Sequence, residues 1–303
     1  MKQNRETAGR VTVVIATRNR REELHRTLRR LARLRPRPPV VVVDNASTDG
    51  TAEAVAAQHP EVALIRAPVN LGAVARNIGV EALDTPYVAF CDDDTWWEPG
   101  SLERAADLLD EFPRIGCLTA RIVVEPDGRE DPITPELRHS PVPGPPELPG
   151  PALLSVLAGA SVFRVSAFTE AGGFSPRLWL GGEEELLSLD LAAAGWWLCW
   201  IEDMVVHHAA SRRRDSRVRR RLGIRNTLWT AWLRRPLGGA LLRTGAVLRA
   251  VPKDAASARA LAAAVAGLPW VLRERRPVPR EIERGLRLLA EPQRHSRARR
   301  YVG

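Results

Sequence analysis

Two rhythms of apolar residues alternate along the first hundred positions. The runs at Val11–Thr17 and residues 40–43 are short, β-branched and bounded by polar residues, which predicts buried strands. Between them Leu24, Leu28, Leu31 and Leu34 return at helical spacing, and Pro36, Pro38 and Pro39 close that helix. A helix over residues 51–58 follows, with Ser47, Thr48 or Asp49 able to cap it. Residues 62–66 read as a third strand, 73–83 as a helix, and 88–91 as a fourth strand introduced by Pro86. This order predicts βαβ units, hence a Rossmann-like, mostly parallel sheet flanked by helices in an α/β fold.

The rhythm then changes. Residues 127–151 are rich in proline and read as an irregular excursion, over the site or on the surface. Residues 153–164 form another strand region, in which Gly159 and Ala160 leave room for something to approach closely. A helix is expected from Glu183 to a stop at Gly195, then a strand over 196–206 that runs into His207 and His208.

In parallel α/β sheets, ligands sit at the carboxyl ends of the strands. The polar residues there are Thr17, Arg18, Asp44, Asp92, Asp93 and Asp94, from different strands but one sheet edge. Adjacent carboxylates repel, so Asp92–Asp94 need a cation, basic neighbours or solvent. Their hard oxygens suit Mg²⁺ or Mn²⁺ with substrate phosphates; a solvated acidic turn is the plainer alternative. No Gly-x-Gly-x-x-Gly follows the first strand, which disfavours a dinucleotide site.

Composition adds a division. The 303 residues are 45% hydrophobic and 27% charged, ordinary for a globular chain. Residues 211–303 carry 23 Arg and 1 Lys against 6 acids, +18, whereas residues 1–210 carry −9. The expected organisation is therefore two parts with different jobs, an acidic α/β domain over 1–210 and a basic helical region over 211–303, with residues 292–303 disordered. Arginine mixed with Leu222, Ile224, Leu228, Trp229 and Trp232, and again over 237–251 and 255–272, fits helices lying on an anionic membrane surface. Helices packed on the acidic front domain with solvated arginines fit as well. No nucleic-acid motif accompanies the charge. Cys91, Cys117 and Cys199 are widely spaced, and the N-terminus is too polar for a signal peptide, so a cytoplasmic site is expected, with the basic region as the reason to place it at the inner face of the plasma membrane.

With these pieces in line, the chain resembles the family 2 glycosyltransferases of GT-A fold. The resemblance is carried by VVIATRNR, VVDNASTDGT, NLGAVARNIG, FCDDDTWWEPGSL, LAGASVFR, EAGGF, GGEEELLSLDLAAAGW and VVHH, in that order over residues 10–210. It implies an inverting transfer of a hexose or deoxyhexose from a nucleoside-diphosphate sugar to a glycan, lipid-linked or small-molecule acceptor, in glycan or cell-envelope synthesis. Asp44, with Thr17 and Arg18, would hold the nucleotide base, a pyrimidine whose ring N–H a carboxylate can read; a turn role is the alternative. Arg76 and Asn77 would lie near base and diphosphate, or Arg76 on a helix surface. Asp92 would sit near the ribose and the metal, Asp93 would support the loop, and Asp94 would hold Mg²⁺ or Mn²⁺ with Asp92 and His207. Trp96 and Trp97 would wall the sugar pocket or belong to the core. Glu184 would be the general base, with Glu183 and Glu185 as neighbours; relatives usually carry Glu-Asp or Asp-Asp here. Two other classes remain: a nucleotidyltransferase, for which TRNRREE is the wrong phosphate loop, and a non-catalytic nucleotide-sugar-binding protein of the same fold.

Overall fold

Burial of the β-branched runs on both faces sets the architecture. The structure, a computed structural model, describes residues 9–209 and 216–295. In chain order it contains β1 (Val11–Thr17), α1 (Arg21–Leu31), β2 (Val40–Asp44), α2 (Thr51–Gln58), β3 (Ala63–Arg66), α3 (Ala75–Glu81) and β4 (Tyr87–Cys91). β5 (Thr95–Trp97), α4 (Ser101–Glu111), β6 (Ile115–Val124), β7 (Arg129–Glu130), α5 (Thr134–Arg138), β8 (Ser161–Arg164), α6 (Val165–Glu170), α7 (Glu183–Ala193) and β9 (Trp197–His208) follow. The strands form one sheet in the order β3-β2-β1-β4-β8-β6-β9-β5, with β7 on β6.

The expected parallel arrangement holds for β3, β2, β1 and β4. Beyond β4 the sheet is mixed: β8 runs antiparallel to both neighbours, β6 and β9 run parallel, and β5 lies antiparallel on β9. The strand expected over 153–164 is confined to its last four residues, and β5, β6 and β7 have no counterpart in the sequence pattern. Between β7 and β8 the proline-rich excursion stays close to the sheet: Ala152 bridges to Val142 and to Cys199 of β9. One core surrounds the sheet, from Val13, Ile15 and Val42 through Phe90, Leu118 and Phe163.

The basic rear half folds as helices α8 (Ser216–Arg234), α9 (Leu237–Ala250), α10 (Ala255–Ala266), α11 (Leu268–Arg273) and α12 (Arg280–His295). Ile224, Leu228, Trp229 and Leu233 of α8 share a second core with Leu178 and with Leu186 of α7. Arg234 and Asp190 form an ion pair across the same seam. α12 continues through Pro292, where disorder was expected to begin; residues 296–303 of that expectation, like Arg212–Arg214 of the basic stretch, lie outside the described residues. None of the described helices is long and apolar enough to cross a membrane.

Candidate active site

The strand ends converge as their register requires. Thr17 and Asp44 are paired across β1 and β2, so their side chains share one edge. Asp44 is 2% exposed; its Oδ2 accepts the Ser47 N–H at 3.3 Å, and its Oδ1 has no hydrogen-bond partner. A buried carboxylate oxygen left so is costly unless a ligand satisfies it. Thr17 Oγ1 donates to Asp93 at 2.9 Å. Arg18 points outward, toward the Ala46 carbonyl. Arg20 takes the central position instead, reaching Asp93 and Asp94 at 2.8 Å each.

The three aspartates therefore do different work. Asp93 is an internal strut: besides Thr17 and Arg20, its backbone carbonyl accepts the Thr27 hydroxyl at 2.9 Å. Burial, resisted by Arg20, pushes its carboxyl up to about 7. Asp92 pairs with Arg76 at 2.5 Å and faces the main cleft. A Cβ at Gly159 would come within 2.9 Å of the Asp92 carboxyl carbon, so glycine there admits that carboxylate. Asp94 pairs with Arg20, and His208 Nε2 stands 3.7 Å from its other oxygen.

Arg76 joins this group to α7. Although burial works against its charge, the nearby carboxylates of Asp92, Glu183 and Glu184 hold its pKa above the ordinary arginine value. Gly182, at φ +90°, turns the chain into α7 and places all three glutamates in its first turn, where the helix dipole favours negative charge. Glu183 is 5% exposed and its Oε2 has no partner. Glu184 and Glu185 line the cleft. The Ala158 N–H donates to Glu184 Oε1 at 2.6 Å. Burial and the neighbouring Glu183 charge push the Glu184 carboxyl up to about 7, and burial raises Glu183 as well. The cleft of about 540 Å³ is also lined by Asp131, Leu157, His208 and Arg219.

Two expected contacts lie elsewhere. His207 and His208 are adjacent in a strand and point to opposite faces. His207 stacks on Trp96 and contacts Glu125 at 2.8 Å, so His208, not His207, is the histidine beside Asp94. Asn77 spends both ends of its amide on Phe174: Nδ2 donates to the carbonyl at 2.9 Å and Oδ1 accepts the N–H at 3.0 Å. It ties α3 to that loop, so its amide is spent within the fold and not free for the base and diphosphate contact the resemblance implies. Trp97 is buried in the core at 1% exposure, and Trp96 lies against His207 and Arg30; neither lines the cleft.

Asn226 of α8 has no signal in the motifs. It is fully buried, and its amide donates toward the carbonyls of Leu178 (2.9 Å), Leu180 (3.1 Å) and Gly181 (2.5 Å), the loop that delivers the glutamates. Replacing Asn226 by Ala removes its amide donor from the Leu180 and Gly181 carbonyls, whereas the Leu178 carbonyl keeps the Leu180 N–H and Arg225. The expected cost is about 2–3 kcal/mol in urea unfolding, with a larger fall in kcat than in donor affinity. Unchanged unfolding together with unchanged kcat would show that α8 does not hold this loop.

The profile described as Glycosyl transferase family 2 matches residues 12–170. An N-acetylglucosaminyl-diphospho-decaprenol L-rhamnosyltransferase of Mycobacterium tuberculosis is 31% identical over 236 residues, covering 65% of this chain and 76% of the relative. Among solved structures, a mannosyltransferase of Pyrobaculum calidifontis, in complex with GDP-Man and Mn²⁺, superposes with a TM-score of 0.57 at 21% identity. That match covers 95% of this chain and 88% of the other. TarS of S. aureus, residues 1–349, gives 0.59 at 18% identity over 86% and 80%. These two likenesses concern the fold.

Proposed function

We propose that this chain, which belongs to glycosyl transferase family 2, moves a hexose or deoxyhexose from a nucleoside-diphosphate sugar to an acceptor hydroxyl with inversion at the anomeric carbon. The observation that carries the reading is the gathering of acidic side chains at the strand ends: Asp44 beside Thr17, Asp92 and Asp94 after β4, and Glu184 at the start of α7, with Arg76 paired to Asp92 and close to Glu183 and Glu184. The relative's action on a diphospho-decaprenol sugar supports a lipid-linked acceptor for this chain, used at the inner membrane face.

Asp44 accepts a ring N–H of the base with its unpartnered oxygen, beside Thr17. The acceptor lies in the cleft, where Glu184 receives the hydroxyl proton as the oxygen attacks the anomeric carbon and the bond to the diphosphate breaks. The Ala158 N–H fixes one Glu184 oxygen and leaves the other for that proton. With Glu184 as the base, a single displacement by the acceptor hydroxyl is the chemistry this geometry serves, by positioning and charge.

Among the described residues no three His, Cys, Asp or Glu side chains form a closed metal cage. The pair Asp94 and His208 nevertheless fits Mg²⁺ or Mn²⁺, ions that take a few protein ligands and complete their shell with phosphates and water. Such an ion supplies Lewis-acid stabilisation of the departing diphosphate.

Thermal-shift titration with UDP-, dTDP- and GDP-sugars, with and without Mn²⁺, tests the reading. One donor class is expected to raise the melting temperature, more so with the metal; no shift with any donor would contradict it. Asp44→Asn is expected to weaken nucleoside diphosphate binding by roughly tenfold to a hundredfold, the worth of a hydrogen bond to a charged group. Calorimetric titration reads this, and equal affinity in the variant would remove Asp44 from the base pocket.

A further inference from the structure

α9 is turned inside out for a surface helix. Gly239, Ala240 and Val247 face inward, and Trp232 of α8 donates to Thr244 of α9 at 3.1 Å. Its large apolar side chains face water: Leu237, Leu241, Leu242 and Leu248 are 62%, 60%, 66% and 51% exposed. Single exposed leucines are ordinary, but four on one 14-residue helix form a patch of the kind that marks an interaction surface. Among the described residues, six of the eight exposed large apolar side chains fall on α9–α11, Val265 and Leu272 being the other two.

Charge narrows the partner. Residues 237–273 contain Arg243, Arg249, Lys253, Arg259 and Arg273 and a single acid, Asp254. That acid is engaged within the fold: it caps α10 through the Ser257 N–H at 2.8 Å and pairs with Arg220 at 2.6 Å. On α9 itself the exposed leucines are accompanied by the half-buried Arg243 and the exposed Arg249, and by no carboxylate. Exposed leucines bordered by arginines match a layer whose headgroups are anionic and whose interior is hydrocarbon.

We propose that the outward face of α9 beds this protein on an anionic phospholipid surface. The leucines enter the headgroup–acyl boundary while Arg243 and Arg249 meet lipid phosphates. This deepens the proposed use of a lipid-linked acceptor and rests on that reading only for its purpose; the contact itself is measured without turnover.

The test is co-sedimentation of the full chain with vesicles of phosphatidylglycerol and phosphatidylcholine, and with phosphatidylcholine alone. The native protein is expected to bind the anionic vesicles, more weakly as salt rises. Leu241→Glu/Leu242→Glu should lose roughly tenfold in affinity for each leucine, and Arg243→Gln/Arg249→Gln about fivefold for each charge. Because Leu241 and Leu242 are exposed, circular-dichroism melting and donor hydrolysis of the leucine variant should match the native chain. Leu237→Ser/Leu248→Ser, on the same helix, is measured alongside and should also weaken binding. A native chain that ignores anionic vesicles, or leucine variants that bind as it does, would overturn the proposal. A dimer in light scattering that the leucine variants convert to monomer, without vesicle binding, would assign this face to a second copy of the chain. Loss of donor hydrolysis in the native chain would count against the catalytic reading alone.

Discussion

Glu184→Gln is expected to lower kcat by roughly 10²–10⁴-fold, the range a positioned general base contributes, while leaving nucleoside diphosphate affinity within a few-fold of native. The amide keeps an oxygen for the Ala158 N–H, 2.6 Å away in the native chain, so the first turn of α7 retains its anchor. What it cannot do is take a proton. The native pH profile sharpens the test. Burial and Glu183 push the Glu184 carboxyl up to about 7, and the base must be ionised, so native kcat/KM rises with pH through about 7. That limb should vanish from whatever activity the variant keeps.

Stability should respond in the opposite sense. A carboxyl whose folded pKa is raised holds its proton more tightly when folded than when unfolded. Its favourable contribution is complete below the ordinary glutamate range and is lost as pH rises through about 7. The Gln variant should therefore melt higher relative to native at pH 8 than at pH 5. Stopped-time assays of nucleoside diphosphate release and paired melting curves read both effects. Turnover within tenfold of native, with the same acid limb, would move the base to Glu185.

Asp94→Ala carries the second large effect. Arg20 keeps its contact to Asp93 at 2.8 Å, so the loop after β4 retains a cation and the variant should fold. The site loses the carboxylate nearest His208. Mn²⁺ should then no longer strengthen nucleoside diphosphate binding, and kcat should fall by roughly 10²–10³-fold, as when one transition-state charge partner is removed. Calorimetric titrations with and without Mn²⁺ separate the two: metal-independent weakening would make Asp94 a structural partner of Arg20 instead.

The parts of this protein legible in its sequence are those with a local physical signature. Apolar runs ending on Thr17, Asp44 and Asp92–Asp94 mark strands and a polar edge together, because burial on both faces leaves no alternation to misread. Glu183–Glu185 after Gly181 and Gly182 marked a helix start that dipole and turn chemistry both favour. β6 escaped because Thr119 and Arg121 interrupt its apolar run, although Thr119 is buried with its hydroxyl satisfied by Ser161 at 2.8 Å. The choice between His207 and His208 depends on which face of β9 meets Asp94, and that is set by pairing with β5, a strand the sequence does not announce. Arg18 and Arg20 look alike in sequence, and only the turn at Asn19, with φ +54°, separates the one that points outward from the one that reaches Asp93 and Asp94. Asn226 acts from more than forty residues away in sequence, on carbonyls of Leu178, Leu180 and Gly181, and local pattern holds no trace of such a contact.

The central claim is that carboxylates from β2, the loop after β4 and α7 gather around one nucleotide diphosphate and one divalent ion. Crystals grown with a nucleoside diphosphate and Mn²⁺, recorded at the manganese edge, test it most directly. The expected map has an anomalous peak bonded to Asp94 and His208, the base against Asp44 and an open cleft before Glu184. Nucleotide bound with its base away from Asp44, or manganese held without Asp94, would contradict it.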